Sequence, residues 1–384
     1  MRADIFCRVI DNYGDIGVCW RLARRLAHGR GWQVRLWVDV LPAFATIQPG
    51  IDPALDAQTF EGIEILRWSG TADHPTERTP GNVAIEAFAC DPPSSYVAGM
   101  AQAKTVWVNL EYLSAEDWVE SCHALPSRQA GGQSKYFFFP GFTPGTGGLL
   151  REPGLRAQRD AWQTDRDETQ RLLDALGVPA DSISAWQAGA RLVTLFCYPH
   201  ASTAALAQVL SRDARPTVLL VPDGVAPDLA SGGRGSADAL HVARIPFVPQ
   251  PAFDRLLWSA DLNLVRGEDS FVRGLWAGQP VVWQIYPQDD DAHQVKLQAW
   301  LDRYHPTPEA RRLIEAWNLS LPNDDAAARD AANAAVASAL QAALTDRAWK
   351  GWRETARAWS DRALARPDLA DALADFCEQK AQTG

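Results

Sequence analysis

The sequence predicts an α/β protein made of two doubly wound halves, and three observations carry that prediction. First, 384 residues exceed one comfortable core and suffice for two, each burying a sheet. Second, strand-sized apolar runs recur along the whole chain between helical segments and loops, the pattern of a parallel sheet covered on both faces. Third, each half carries one acidic, glycine-bearing turn between a strand-like run and a helix-like one. These turns are Asp11-Asn12-Tyr13-Gly14-Asp15-Ile16-Gly17 and Arg266-Gly267-Glu268-Asp269-Ser270.

Residues 5–10 have the apolar, β-branched content of a buried strand. Val18, Leu22 and Leu26 then repeat at helical spacing. Further strands are expected over 34–40, 83–88, 105–110 and 135–139. Residues 127–134 and 140–148 read as loops, the latter lining a cleft or hinge. A charged helical segment over 155–176 closes the first domain (1–180), with 179–189 as the interdomain connection. The second domain (181–366) repeats the scheme with strands over 191–198, 217–221, 242–248, 262–265 and 281–286, and a glycine- and serine-rich loop over 224–236. Alanine-rich 326–344 and then 349–365 are good helices by propensity. Residues 367–384 are expected to pack back on the first domain. Two such halves facing each other across a ligand cleft define the GT-B type of glycosyltransferase architecture, which many α/β chemistries share in outline.

In open α/β sheets ligands bind outside the carboxyl ends of the strands. Gly14 and Gly17 there allow a sharp turn and close backbone approach. The bland alternative is a capping turn, with Asp15 as N-cap and Asp11 ending the strand. The second turn opens a helix carrying Phe271, Leu275 and Trp276 and ended by Gly278. Asp269 and Ser270 suit its cap, its free N–H groups suit a diphosphate, and Arg266 or Arg273 can add charge-assisted hydrogen bonds.

Composition bounds the partners. Hydrophobic residues are 47% and charged residues 22%, as in ordinary soluble domains. A net charge of −10 argues against nucleic-acid binding and against capture of an acidic protein by overall attraction. Six cysteines without C-x-x-C spacing read as buried thiols in a reducing compartment. The chain enters a strand almost at once, leaving no signal peptide, and no apolar run reaches membrane-spanning length, so a cytoplasmic protein is expected. Most of the sixteen tryptophans, including Trp20, Trp37, Trp107 and Trp258, fall in apolar runs and read as core. Asp289-Asp290-Asp291 with His293 superficially suggests a metal, but adjacent aspartates lack ligand spacing and read as a solvated loop. Scattered histidines and Ser114 or Ser270 form no evident triad. Asn318-Leu319-Ser320 matches a glycosylation acceptor by chance.

The motifs together resemble the EarP family, bacterial protein-arginine rhamnosyltransferases that modify elongation factor P. The resemblance lies in residues 11–21, in Asn109-Leu110-Glu111-Tyr112-Leu113-Ser114 and in Lys135-Tyr136-Phe137-Phe138-Phe139-Pro140-Gly141-Phe142. Leu195-Phe196-Cys197-Tyr198 and Arg266-Gly267-Glu268-Asp269-Ser270-Phe271 complete it, so it covers essentially the whole chain. Tyr13 stands where the family usually has phenylalanine; the ring is kept. The resemblance implies a GT-B fold, dTDP-β-L-rhamnose as donor substrate with no further cofactor, and inversion to an α-rhamnosylated arginine of elongation factor P. It implies Asp11, Asp15 and Glu268 as catalytic carboxylates. It also implies donor contacts from Asn12, Tyr13, Gly14 and Asp15 and from Arg266, Gly267, Glu268, Asp269 and Ser270. Phe196, Tyr198 and Gln250 would contact the nucleotide, with Phe247 and Phe253 as further ring candidates. For Phe196 and Tyr198, alternating at the end of one strand, plain core packing stays open beside stacking on thymine.

These residue types suit the chemistry. A protonated guanidinium has a pKa above about 12 and is a poor nucleophile. Carboxylates can grip it, polarise it and accept its proton as the new bond forms. Asp15 is the expected base, Asp11 the group that orients the arginine, and Glu268 completes the acidic pocket from the opposite domain. The helix N-terminus and arginine are expected to neutralise the leaving diphosphate without a metal. The alternatives are a GT-B transferase with another sugar or acceptor, a non-catalytic binder of a translation factor, and an NAD-dependent oxidoreductase. The first loop lacks the G-x-G-x-x-G that the last requires.

Overall fold

Strand β1 (Arg2–Cys7) is buried from its second residue onward, as a central strand covered on both faces must be. Its one inward charge, Asp4, is met by Arg35, Trp37 and Tyr96. The computed structural model describes residues 1–11, 13–70, 78–229, 239–288, 291–319 and 326–383. Two units emerge, Met1–Leu155 with Ala365–Gly384, and Arg156–Leu364.

The first unit's sheet adds β2 (Gln33–Val38), β3 (Ala57–Phe60), β4 (Ile63–Arg67), β5 (Val83–Ala87), β6 (Val106–Leu110), β7 (Pro126–Arg128) and β8 (Ser134–Phe138). Its order is β3-β4-β2-β1-β5-β6-β8-β7. Among the described residues only the edge pairs β3/β4 and β7/β8 of this sheet are antiparallel. The second unit's sheet contains β9 (Arg191–Leu195), β10 (Thr217–Pro222), β11 (Leu240–Ile245), β12 (Leu262–Arg266) and β13 (Val281–Gln284). They run β11-β10-β9-β12-β13, parallel throughout. In each sheet the first strand is internal and the winding reverses beside it, between β1 and β5 and between β9 and β12. Loops leaving the two strands at such a reversal part in opposite directions and open a crevice for ligand.

Two expectations about elements change, and one hairpin is added to them. The hairpin β3/β4 turns on Glu61 and Gly62, both at positive φ (48° and 75°), the two-residue turn that matches strand twist. Part of the expected loop 127–134 pairs as β7. The charged segment 155–176 is two helices, Leu155–Thr164 and Arg166–Ala175, because Asp165 caps the second by accepting from the Glu168 N–H.

The domain boundary lies at 155/156 rather than 180, and 179–189 is not a linker but holds the helix Ala180–Gln187. Arg159 explains the shift: fully buried, it donates to the Trp276 carbonyl (3.1 Å) and Ser360 Oγ (2.8 Å), tying its helix to the second unit. At the other end, Arg25 meets Asp368 at 2.6 Å and Phe376 packs edge-on against Tyr136, placing the helix Leu369–Thr383 in the first unit. Trp20, Trp37, Trp107 and Trp258 are buried. All six cysteines are free, five of them buried, and burial pushes the Cys197 thiol up to about 12, leaving it unreactive.

Candidate active site

β1 ends at Cys7, and acidic side chains hold the backbone that leaves it. The Val9 N–H donates to Asp39 Oδ1 (2.9 Å), while those of Ile10 (2.7 Å) and Asp11 (2.9 Å) donate to Asp15 Oδ2. The Tyr112 hydroxyl donates to Asp15 Oδ1 at 3.2 Å. Asp15 is 2% exposed. Burial pushes its carboxyl above the ordinary value, outweighing the hydrogen bonds from Asp11, Ile10 and Tyr112 that pull it down.

Asp15 is therefore not the N-cap of the helix Gly14–Arg24. Tyr13 holds that position with no side-chain cap, and Asp15 turns back onto the loop from the second helical residue. Gly14 and Gly17 serve this turn without positive φ. Gly14 serves close approach: a Cβ there would stand 3.0 Å from Asp11 Oδ2. Asp11 is half-buried beside it, and Asn12 lies outside the described residues.

On the neighbouring strand β5 the chain takes an unusual course. Phe88, Ala89 and Asp91 all have positive φ, 59°, 54° and 53°. The Phe88 N–H donates to the Leu110 carbonyl (2.7 Å) and the Ala89 N–H to Asn109 Oδ1 (2.9 Å). Asn109 in turn donates to Glu111. The Phe88 ring so placed lies flat on Tyr112, centroids 4.2 Å apart. Left-handed backbone costs a residue with a Cβ roughly 1–2 kcal/mol. Ala89→Gly should thus gain stability, by about 0.5–1 kcal/mol once glycine's greater unfolded freedom is subtracted; urea unfolding measures it.

In the second unit, β12 runs into Gly267, which needs its positive φ of 62°. Its N–H donates to the Gln284 carbonyl and its own carbonyl accepts from Trp283 Nε1. Glu268 occupies the N-cap of the helix Asp269–Ala277, so Asp269 and Ser270 are not its caps but its first residues. Asp269 accepts from Gln250 Nε2 (3.4 Å), and the Ser270 hydroxyl donates to the Arg266 carbonyl. Arg266 donates to the Cys197 carbonyl (3.2 Å) with its guanidinium 4.9 Å from the Tyr198 ring centre.

Phe196 and Tyr198 do not alternate within a strand; β9 stops at Leu195 and both follow it, buried. Phe196 meets Phe253 edge-to-face at 4.9 Å, and Phe247 is half-buried after β11. The Tyr198 N–H donates to Gln284 Oε1 (2.8 Å), whose amide nitrogen lies 3.1 Å from His200 Nε2. Burial, with His293 nearby, pushes the His200 imidazole down, so it is neutral and accepts. Arg273 is removed from the phosphate candidates. It is 2% exposed and clamps Asp254 with two bonds, Nε to Oδ1 at 2.9 Å and a terminal nitrogen to Oδ2 at 2.7 Å.

The structure thus groups Asp11, Tyr13, Gly14 and Asp15 at the end of β1. It groups Phe196, Tyr198, Gln250 and Arg266 to Ser270 at the ends of β9 and β12. Asp39, Phe88 and Gln284 join them unforeseen. Asp39 and Gln284 had a signal, each a polar residue closing an apolar strand. Phe88 had none, because no glycine marks its left-handed turn. Among the described residues no group of three or more His, Cys, Asp or Glu is placed to hold a metal ion. Asp289 and Asp290 lie outside them, and His293 Nδ1 accepts from the Gln288 N–H. Asn318 is buried, donating to the carbonyls of Trp283 and Ile314 and accepting from Ile285, which explains it without a glycan. No helix among the described residues is long and apolar enough to cross a membrane.

Paired doubly wound sheets with acidic turns at both reversals make this a glycosyltransferase of the GT-B fold. An anthocyanidin 3-O-glucosyltransferase solved with UDP superposes over 100% of this chain and 99% of its own at TM-score 0.53, with 10% identity, a likeness of fold alone. The chain belongs to the EarP family: the family model for elongation-factor P (EF-P) rhamnosyltransferase EarP matches residues 3–378. It is 45% identical to the protein-arginine rhamnosyltransferase of Pseudomonas aeruginosa, over 97% of this chain and 98% of that one. A structure solved to explain EarP-mediated arginine glycosylation of translation elongation factor EF-P matches at TM-score 0.63 and 32% identity, covering 98% of this chain and 99% of the other.

Proposed function

We propose that this chain transfers L-rhamnose from dTDP-β-L-rhamnose, with inversion, to one arginine of elongation factor P in the cytoplasm. One observation carries the assignment: in a chain of this family, a carboxylate buried at the end of β1 is held by two backbone N–H groups and a tyrosine hydroxyl. A guanidinium nitrogen attacks the anomeric carbon as the bond to the dTDP oxygen breaks. The nitrogen's proton passes to Asp15, and dTDP leaves with the bonding pair. Burial makes the Asp15 anion a stronger base than an exposed aspartate. Asp11, less buried, orients the guanidinium, and Glu268 is the third carboxylate of the set, at the start of the donor-side helix.

Tyr13 and Gly14, with Asn12, complete the first donor-contacting turn. On the nucleotide side, Phe196 and Tyr198 offer ring faces, with Phe253 beside them, and Gln250 offers an amide to the pyrimidine edge. Gly267, Asp269 and Ser270 open the helix whose N-terminus, with Arg266, stabilises the departing diphosphate. No metal is needed for that charge, so activity should survive chelator at the parent rate; strong loss with EDTA would return attention to the aspartate run. The test is incubation with dTDP-β-L-rhamnose and unmodified elongation factor P. Intact mass should rise by one deoxyhexose, mapped to a single arginine. An unchanged acceptor mass would reject the assignment.

A further inference from the structure

We propose that Tyr112 is a positioning residue for the Asp15 carboxylate, aimed by the left-handed turn at Phe88. The inference rests on the reading of Asp15 as the base. Asp15 Oδ2 is occupied by the N–H groups of Ile10 and Asp11, so Oδ1 is the oxygen open to further partners. Tyr112 donates to Oδ1 at 3.2 Å. A carboxylate oxygen accepts two hydrogen bonds, and among the described residues Tyr112 takes one on Oδ1, leaving its other lone-pair direction for an incoming proton. Two N–H donors and one hydroxyl together fix both the plane of the carboxylate and its rotation.

The tyrosine is itself aimed. Its ring lies within 11° of parallel to Phe88, and Phe88 and Ala89 both hold positive φ where that ring is placed. The end of β6 holds that backbone, through the Leu110 carbonyl and the Asn109 side chain. Unfavourable backbone retained beside a ligand-facing strand end is where functional demand is usually met. The line of support thus runs from β6 through Phe88 and Tyr112 to Asp15.

A hydroxyl donated to a carboxylate favours the ionised form, so its removal raises the pH at which the base becomes active. Tyr112→Phe deletes one oxygen and leaves the stacked ring. In the full chain it should move the acidic limb of the kcat/KM–pH profile up by about one unit and lower the plateau kcat roughly tenfold, with donor KM unchanged. Replacing Tyr112 by 3-fluorotyrosine, a stronger donor, should move the limb down, and this arm holds even if the phenylalanine variant is poorly folded. A parental limb in both variants overturns the proposal, as does a raised donor KM with the limb unmoved. The underlying reading fails separately: turnover retained in Asp15→Asn removes the base, whereas an inactive Asp15→Asn beside a parental Tyr112→Phe removes only the positioning role.

Discussion

Asp15→Asn is expected to bind dTDP like the parent while rhamnosylating elongation factor P about 100- to 10,000-fold more slowly, the usual loss when a positioned proton acceptor is removed. Asparagine has the right shape to stay folded. Its carbonyl oxygen can accept from Ile10 and Asp11, and its amide can donate to the Tyr112 oxygen, where Asp15 now accepts. Its melting temperature should be no lower at neutral pH, and the sign follows from burial. A carboxyl raised in the folded state stabilises that state while both forms are protonated, below the ordinary carboxylate value. The contribution is lost as pH climbs from there through the raised folded value. A neutral amide has nothing to lose across that window. Melting curves taken from the acidic range up to neutral pH should therefore show the variant gaining on the parent as pH rises. Isothermal titration with dTDP and a mass-based rate complete the test; parental turnover would remove Asp15 as base.

Arg273→Ala should have the largest effect on stability. Both ends of its pair with Asp254 are buried, 2% and 9% exposed at the side chain, and joined by two hydrogen bonds. Removing one partner strands the other charge in the interior, at a cost of about 3–5 kcal/mol. For a unit of this size that lowers the melting temperature by roughly 6–20 °C. Pairing Arg273→Met with Asp254→Leu should recover most of the loss, because no charge is then left buried. A phosphate-binding arginine would behave otherwise: Arg273→Ala would weaken dTDP binding and leave melting alone. Calorimetry and titration on the same preparation separate the two outcomes.

Arg273 shows where sequence reasoning stops. Two residues with the same formal charge near the same turn, Arg266 and Arg273, looked equivalent as anion ligands. Only packing separates them. Arg273 sits one helical turn in and faces the helix Gln250–Ser259, where Asp254 waits. Arg266 ends a strand and lies over Tyr198. Asp15 is similar: spacing alone allowed a cap or a functional carboxylate, and its hydrogen bonds to the preceding loop decided against the cap.

The chain's own pattern was enough for the two-fold α/β scheme, for the placing of both acidic turns after strands, and for family membership through motifs such as Asp11 to Arg21. Such features are local or periodic: a run of branched apolar residues buries itself wherever it lands, and a glycine-bearing turn bends within a few residues. Strand order, the boundary at 155/156, the left-handed path of Phe88 and the partners of Asp15 depend on residues far apart in sequence. Arg159 finds Ser360, and Tyr112 finds Asp15, because burial forces distant polar groups to satisfy one another. That pairing is settled only when the whole unit closes.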